Sequence, residues 1–493
     1  MKARLGKGAM WLSVSRAATN LIAFLSTLLL ARLLAPTDFG LVALATTMLA
    51  IISSVTDLSL AQALVHHANP TEEHFDTAWS LNAARGVTIG ILFCAFAYPA
   101  SLAFHEPRLV MIMVALGGTV VLNGMANPKM VVFARNLVFK QDFALNVSSK
   151  LAGFVAAITV AVVFRSYWAL VVGSIVTQVT NIIVSYWILP YRPRPTMKHA
   201  GDLWSFSIWL TCSQIVTTLN TRFDQLLIGG LLGRAPLGYY TFGDNLASTP
   251  TRETTAPLAQ TLFPAFARLR DQPGRLRDAY TSAQTLISAI ALPIAFGVAL
   301  VAEPLVRLTV NDKWMPAVIV IQVLASIFGL QTLSSAVQPL ALAKGQTRQL
   351  FGRDVLFFVI RLPTIAIGLY LGGLHGIIYA RALTGSISIF INMRLVTQMI
   401  GIPVRSQIAS NGRSVASAAV MALAVWLVER ATGTHGTSLE LIKILALLLL
   451  TGICVYGGTS YLLWRIAGRP AGPEREVGKL ILKLRHRFQH KPA

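Results

Sequence analysis

Charge is scarce in this sequence. Only 13% of its 493 residues are Asp, Glu, Lys or Arg, while 54% are hydrophobic. Mean hydropathy is +0.62, and a soluble chain carries about 25% charged residues. A soluble globular domain is therefore excluded, and a polytopic membrane protein is expected. Acidic residues are scarcer still, 20 against 42 Lys plus Arg, for a net charge of +22. In a soluble chain that excess points to nucleic acid. In a membrane chain Lys and Arg collect in cytoplasmic loops, so no nucleic-acid partner is expected. Cysteine is nearly absent. Cys94, Cys212 and Cys454 lie far apart in apolar segments, which excludes a disulfide framework and a thiolate metal site and makes them core residues. There is no glycine-rich phosphate loop, so direct use of ATP is excluded and no cofactor is expected. Long outer loops are missing too: none exceeds about fifteen residues, which leaves a membrane enzyme no room for an outer catalytic domain.

What the sequence does contain is a series of apolar segments. Hydropathy places about fourteen spans, at 9–33, 39–65, 77–104, 109–133, 143–164, 167–190, 203–231, 237–265, 279–303, 316–341, 354–373, 375–398, 414–430 and 440–465. Lys2, Arg4 and Lys7 precede the first, which has no small-residue cleavage site and reads as a membrane helix rather than a removed signal. With the N-terminus inside, Lys and Arg on the cytoplasmic side outnumber those outside by roughly three to one, which puts both termini in the cytoplasm. After Pro473, Val477, Leu480, Ile481, Leu484 and Phe488 recur at helical spacing among Lys479, Lys483, Arg485 and Arg487. That pattern predicts an amphipathic helix on the membrane lipid surface, the other reading being a solvated basic tail. His66, His67 and His74 with Glu72, Glu73 and Asp76 have a metal-like composition but no ligand spacing, so a solvated cytoplasmic loop is expected and no metal.

The chain repeats itself. Leu33-Leu34-Ala35-Pro36-Thr37-Asp38-Phe39-Gly40 closes the first span, and Leu231-Leu232-Gly233-Arg234-Ala235-Pro236-Leu237-Gly238 closes the seventh. Each has a Leu pair, a small residue and a Gly five residues later. An even number of spans separates the copies, so they share one membrane orientation. The organisation expected is two parallel bundles, 1–190 and 203–398, joined by a cytoplasmic linker at 191–202. Two extra spans at 399–467 and a basic tail at 468–493 follow. Parallel repeats place a substrate path between lobes.

The runs LLLARLLAPTDFG (28–40), DLSLAQALV (57–65) and DQLLIGGLLGRAPLGYY (224–240) resemble the polysaccharide transport family of the multidrug/oligosaccharidyl-lipid/polysaccharide (MOP) exporter superfamily. This family includes Wzx-type flippases. The resemblance implies an all-α membrane protein with a V-shaped, MATE-like fold in the bacterial inner membrane, and a transporter rather than an enzyme. It implies flipping of undecaprenyl-pyrophosphate-linked oligosaccharides by alternating access for exopolysaccharide or lipopolysaccharide synthesis. The length most resembles exporters of the succinoglycan or colanic acid type. It also implies contact with polymerase and chain-length or export proteins, and a coupling ion, H+ or Na+. The alternatives are a cation-coupled multidrug antiporter of the same superfamily and, further off, a polysaccharide polymerase or ligase.

Ionisable residues inside a membrane are functional candidates. Arg16, Arg85 and Lys150 each sit roughly 10–13 Å from the cytoplasmic end of their spans. Asp57 reaches nearly the same level from the other side. One layer of three cations and one anion suits a vestibule that binds a pyrophosphate through charge-assisted hydrogen bonds. The other reading is an Arg16–Asp57 or Arg85–Asp57 pair that only fixes packing. In the second lobe, Arg222 and Asp224 stand two residues apart, off one helix face. Arg252 and Glu253 lie in the run 249–255, before Pro257, where prolines and hydroxyls predict a kinked, cavity-lining helix. Arg361 and Arg381 add charge on spans eleven and twelve. The cations Arg16, Arg85, Lys150, Arg222, Arg252 and Arg361 are therefore the substrate-binding candidates. Asp57, Asp224 and Glu253 are the counter-charge or ion-coupling candidates.

Overall fold

The computed structural model describes residues 2–55, 70–135, 140–201, 208–433 and 436–469, with Leu64 and Gly472. Among the described residues there are helices and no strands, as an apolar chain requires when lipid offers its backbone no hydrogen bonds. Asp57, His66 and His67 lie outside the described residues, as does the tail segment after Pro473. Contacts divide the chain into two compact units, Met1–Phe242 and Gly243–Ala493.

The first unit contains α1 (Lys2–Leu33), α2 (Pro36–Val55), α3 (Glu72–Ala103), α4 (Arg108–Gly124), α5 (Lys140–Phe164), α6 (Trp168–Ile188), α7 (Ile208–Leu227) and the start of α8 (Arg234–Arg268). Its principal pairings are α5 with α6, α3 with α4, α1 with α5, and α2 with α7. Between membrane helices the drive to associate is packing rather than the hydrophobic effect, so small residues sit where backbones approach. A Cβ on Gly153 would stand 2.6 Å from the Gly173 carbonyl oxygen, which is how closely α5 meets α6. Leu30 of α1 and Leu34 just after it are buried against Ala157, Ala161 and Ala169 of α5 and α6.

The second unit continues α8 and adds α9 (Pro273–Leu300), α10 (Val318–Gln331), α11 (Thr347–Ile400), α12 (Val404–Thr432) and α13 (Ser438–Ile466), with short helices at Ala302–Thr309 and Val337–Ala343. Helix α9 packs on α10 and α12, α12 on α13, and α10 on α11. One core joins Phe266, Leu276 and Tyr280 to Leu340, Val396 and Met399. Helix α11 breaks at Gly372–Gly373, where Gly373 has φ +54°, a left-handed conformation that costs glycine little. The break turns one continuous segment into two spans.

Among the described residues ten helices are long and apolar enough to cross a membrane, with the broken α11 among them counted once. That is fewer than the fourteen or so segments hydropathy places. Helix α4 is apolar but shorter, while α7 and α8 are long but interrupted by Arg222, Asp224, Asp244, Arg252 and Glu253.

Candidate functional site

The matched motifs of the two repeats meet in the first unit. Pro36 and Asp38 start α2, and the Asp38 carboxylate accepts a hydrogen bond from the Ala35 N–H at 3.1 Å. A π turn, Ile228–Leu232, ends α7, and Gly233 at φ +90° swings the chain into α8. The first turns of α2 and α8 then touch backbone to backbone. A Cβ on Gly40 would lie 1.8 Å from the Arg234 carbonyl oxygen, and one on Gly238 would lie 1.9 Å from that of Pro36. The contact is reciprocal, as a local two-fold relation between repeats demands. Glu106, 7% exposed, flanks it and takes Arg234 Nη1 at 2.9 Å. Farther along the same pair of helices, Thr47 Oγ1 donates to Gln225 Oε1 at 2.7 Å, and Arg222 Nη1 donates to the same oxygen at 3.1 Å. Arg222 thus braces α7 against α2 through Gln225, and its side chain is otherwise exposed. Asp224 is 0% exposed and accepts a hydrogen bond from the Tyr240 phenol.

The first-unit cations expected to share a depth are positioned differently. Arg16 on α1 is half-buried and Lys150 on α5 is exposed, on helices that pack together. Among the described residues no carboxylate pairs with either. Arg85 on α3 is half-buried and donates from Nη2 to the Ser53 carbonyl at 3.1 Å, tying α3 to α2.

In α8, Arg252 is exposed and its Nε lies 3.4 Å from Glu253 Oε1, so these neighbours pair with each other. Pro250, Pro257 and Pro264 all lie within this helix. The hydroxyls of Thr254 and Thr255 turn back to the carbonyls of Pro250 and Thr251. That back-bonding satisfies them locally instead of presenting them to a ligand. Arg361 is half-buried on the first half of α11. Arg381, on its second half, lies 3.6 Å from Asp244.

The acidic cluster at 72–76 is no solvated loop, and this corrects the expectation. His74 is buried, and its Nδ1 lies 2.7 Å from the Thr71 hydroxyl in a capping box that opens α3. Glu72 holds Lys129, and Glu73 holds Lys198 at 2.9 Å. The imidazole of His74 stacks on that of His199 at 3.9 Å. Buried Asp76 accepts from the Tyr191 phenol and from the Arg194 N–H. Burial first, and then the bond to Asp76, push the Tyr191 hydroxyl up, so it stays a donor. The acids bind the basic stretch 191–199, whose complementary charge is the signal in the sequence. Among the described residues no three His, Cys, Asp or Glu side chains are grouped to hold a metal. Cys94 is half-buried, while Cys454 is exposed, contrary to a core placement.

Among the described residues the chain is all helical and its repeats meet at their glycines, and its fold is that of MOP-superfamily transporters. Similar solved structures support this. One is the lipid II flippase MurJ in an inward closed conformation, at TM-score 0.71 and 13% identity, covering 94% of this chain and 99% of that one. Another is an inward-facing multidrug resistance MATE transporter of the MOP superfamily, at TM-score 0.58 and 12% identity, covering 78% of this chain and 98% of that one. Within that class the chain belongs to the polysaccharide biosynthesis protein family, whose model matches residues 29–319. Among curated proteins it is similar to the lipopolysaccharide biosynthesis protein WzxC of Escherichia coli K12, 22% identical over 378 residues, 75% of this chain and 76% of that protein. It is also similar to the succinoglycan biosynthesis transport protein ExoT of Rhizobium meliloti 1021, 23% identical over 435 residues, 86% of each.

Proposed function

We propose that this protein flips a polyprenyl-pyrophosphate-linked oligosaccharide from the inner to the outer leaflet of the bacterial cytoplasmic membrane by alternating access. The repeat lobes 1–190 and 203–398 are the moving bodies of this proposal, and both termini lie in the cytoplasm. One observation carries it. Arg16 and Lys150 lie on packed helices, and among the described residues no carboxylate neutralises them. Uncompensated cations at membrane depth are costly unless they serve a water-filled site or an anionic ligand. A pyrophosphate is such a ligand, and Arg suits its oxygens with a two-pronged guanidinium. Arg85, Arg222 and Arg252 are secondary candidates, because each has a partner within its own unit, and Arg361 is a further secondary candidate. Family membership and the flippase fold support the substrate class.

A cation-coupled drug antiporter is the other reading the fold admits. It needs an acid-lined pocket, but Asp224 holds Tyr240 and Glu253 holds Arg252. The protein is expected to translocate its substrate without making or breaking bonds in it, alongside polymerase and export proteins. The test is Arg16→Ala, read by exported polymer and membrane protein level together. Export should be abolished at normal protein level, and Arg16→Lys should retain part of it. Normal export from normally inserted Arg16→Ala would remove Arg16 from the site.

A further inference from the structure

One residue interrupts the hydrogen bonding of α9. Pro293 lies inside this helix. A helical proline has no N–H to give to the carbonyl four residues back, so the Ala289 carbonyl loses its intrahelical donor. In lipid such a carbonyl must find another donor. The phenol of Tyr456, on α13, donates to it at 2.7 Å from 167 residues away. Helix α13 is one of the two spans that follow the repeat lobes. A hydrogen bond between membrane helices is ordinary glue when it stands alone. This one replaces the very bond that the proline removes.

The halves of α9 on either side of Pro293 belong to different cores. Before the proline, Leu276 and Tyr280 pack with Phe266, Leu340, Val396 and Met399. Gln284 fastens the same half. Its Nε2 donates to the Thr332 carbonyl and to Ser288 Oγ, and its Oε1 accepts from the Ala336 N–H at 3.1 Å. After the proline, Phe296 and Leu300 pack with Met421 and Val425 of α12 and with Leu448 and Tyr456 of α13. A proline is where a helix bends most readily. Here it stands between two separately packed blocks. Tyr456 belongs to the second block, yet it holds a carbonyl of the first.

We propose that Tyr456 is a clasp across a hinge in α9. Its hydroxyl takes the place of the missing Pro293 N–H and fixes the angle between the two halves of the helix. When the bond opens, the halves turn about Pro293, and α12 and α13 move with the block that contains Phe296 and Leu300. The last two spans are then a brace on the bend of α9 rather than a passive addition to the repeat lobes. The inference rests on the transport reading, since alternating access supplies the motion that a hinge would serve.

The experiment is a double-mutant cycle on the purified full-length protein in lipid nanodiscs without substrate, read by thermal unfolding. Tyr456→Phe keeps the ring and removes the donor. It should lower the unfolding midpoint by about 2–4 °C. Pro293→Ala returns an N–H to α9, which satisfies the Ala289 carbonyl within the helix. In that background Tyr456→Phe should lower the midpoint by less than about 1 °C, because the two changes act on one bond. Tyr456 has other interactions besides this bond, and the Pro293→Ala background separates them. A distance measurement follows the hinge itself. Spin labels are placed at Ser282→Cys, exposed on the first half of α9, and at the native, exposed Cys454 of α13, with Cys94 and Cys212 replaced by Ala. Tyr456→Phe should widen the distribution of distances between them, and adding Pro293→Ala should return it to the wild-type width. If Pro293→Ala does not fold, the width in Tyr456→Phe against wild type decides. Equal costs of Tyr456→Phe in both backgrounds, or a width that Tyr456→Phe leaves unchanged, overturns the proposal. No substrate is present, so the result stands apart from whether Arg16 supports export.

Discussion

Aspartates 224 and 244 occupy the same helical neighbourhood in sequence, yet their surroundings assign them different work. Asp224 is fully buried beneath a phenol, and Asp244 is matched with a guanidinium. A buried carboxylate that loses a hydrogen-bond donor bears the desolvation cost directly. Tyr240→Phe should therefore destabilise the protein by about 1–3 kcal/mol. Thermal unfolding in detergent is the measurement. Adding Asp224→Asn in that background should cost much less than Asp224→Asn alone, because the two side chains form one bond and are not independent. Equal costs in both backgrounds would show that Asp224 depends on other neighbours. Arg222 shows the same lesson of context. In sequence it is one more membrane cation, but in the fold it braces Gln225, which in turn holds Thr47. Neither partner has a charge that would mark it in the sequence.

At the scale of elements, the first turns of α2 and α8 are the feature most dependent on residue type. Their backbones lie so close that a side chain at Gly40 would overlap the Arg234 carbonyl. Gly40→Val must push the helices apart, at about 1–3 kcal/mol for overpacking a tight contact. It should also break the Glu106–Arg234 pair beside it. The check is cross-linking: cysteines replacing Ala35 and Leu237 in a background without Cys94, Cys212 and Cys454 should couple readily, and Gly40→Val should abolish the coupling. Unchanged coupling would mean the contact is not held by the glycines. The α3 N-terminus teaches the opposite lesson. Its acids looked like a solvated loop because their partners, Lys198, His199 and Tyr191, lie more than a hundred residues away. Hydropathy reports local burial and carries no information about which distant polar groups will meet.

For the molecule as a whole, the proposal requires one aqueous vestibule around the first-lobe cations. Arg16→Cys, Arg85→Cys and Lys150→Cys, each in the cysteine-free background, should react with a water-soluble thiol reagent, since reaction needs the thiolate and therefore water. Accumulated lipid-linked substrate should protect all three. Unreactive thiols, or reaction without protection, would move the site to the Arg222 and Arg252 region. Deleting residues 474–493 should leave export largely intact, because that stretch has the spacing of a surface anchor. Complete loss of export with normal insertion would give the tail a role in transport.

The amino-acid order alone determined the class of protein. Low charge and long apolar runs leave only a helical membrane chain, since lipid cannot satisfy open backbone. The repeated Leu-Leu, small residue and Gly pattern, with the 224–240 run, carried the family resemblance that the model match over 29–319 establishes. Those signals are local or periodic, so they survive without three-dimensional information. Only the tertiary structure decided which polar groups are partners: Gly40 with Gly238, Glu106 with Arg234, Asp76 with Tyr191, and Asp244 with Arg381. Each pairing joins segments far apart in sequence. Its existence depends on how they pack to within a few ångströms, and no spacing along one chain encodes that distance.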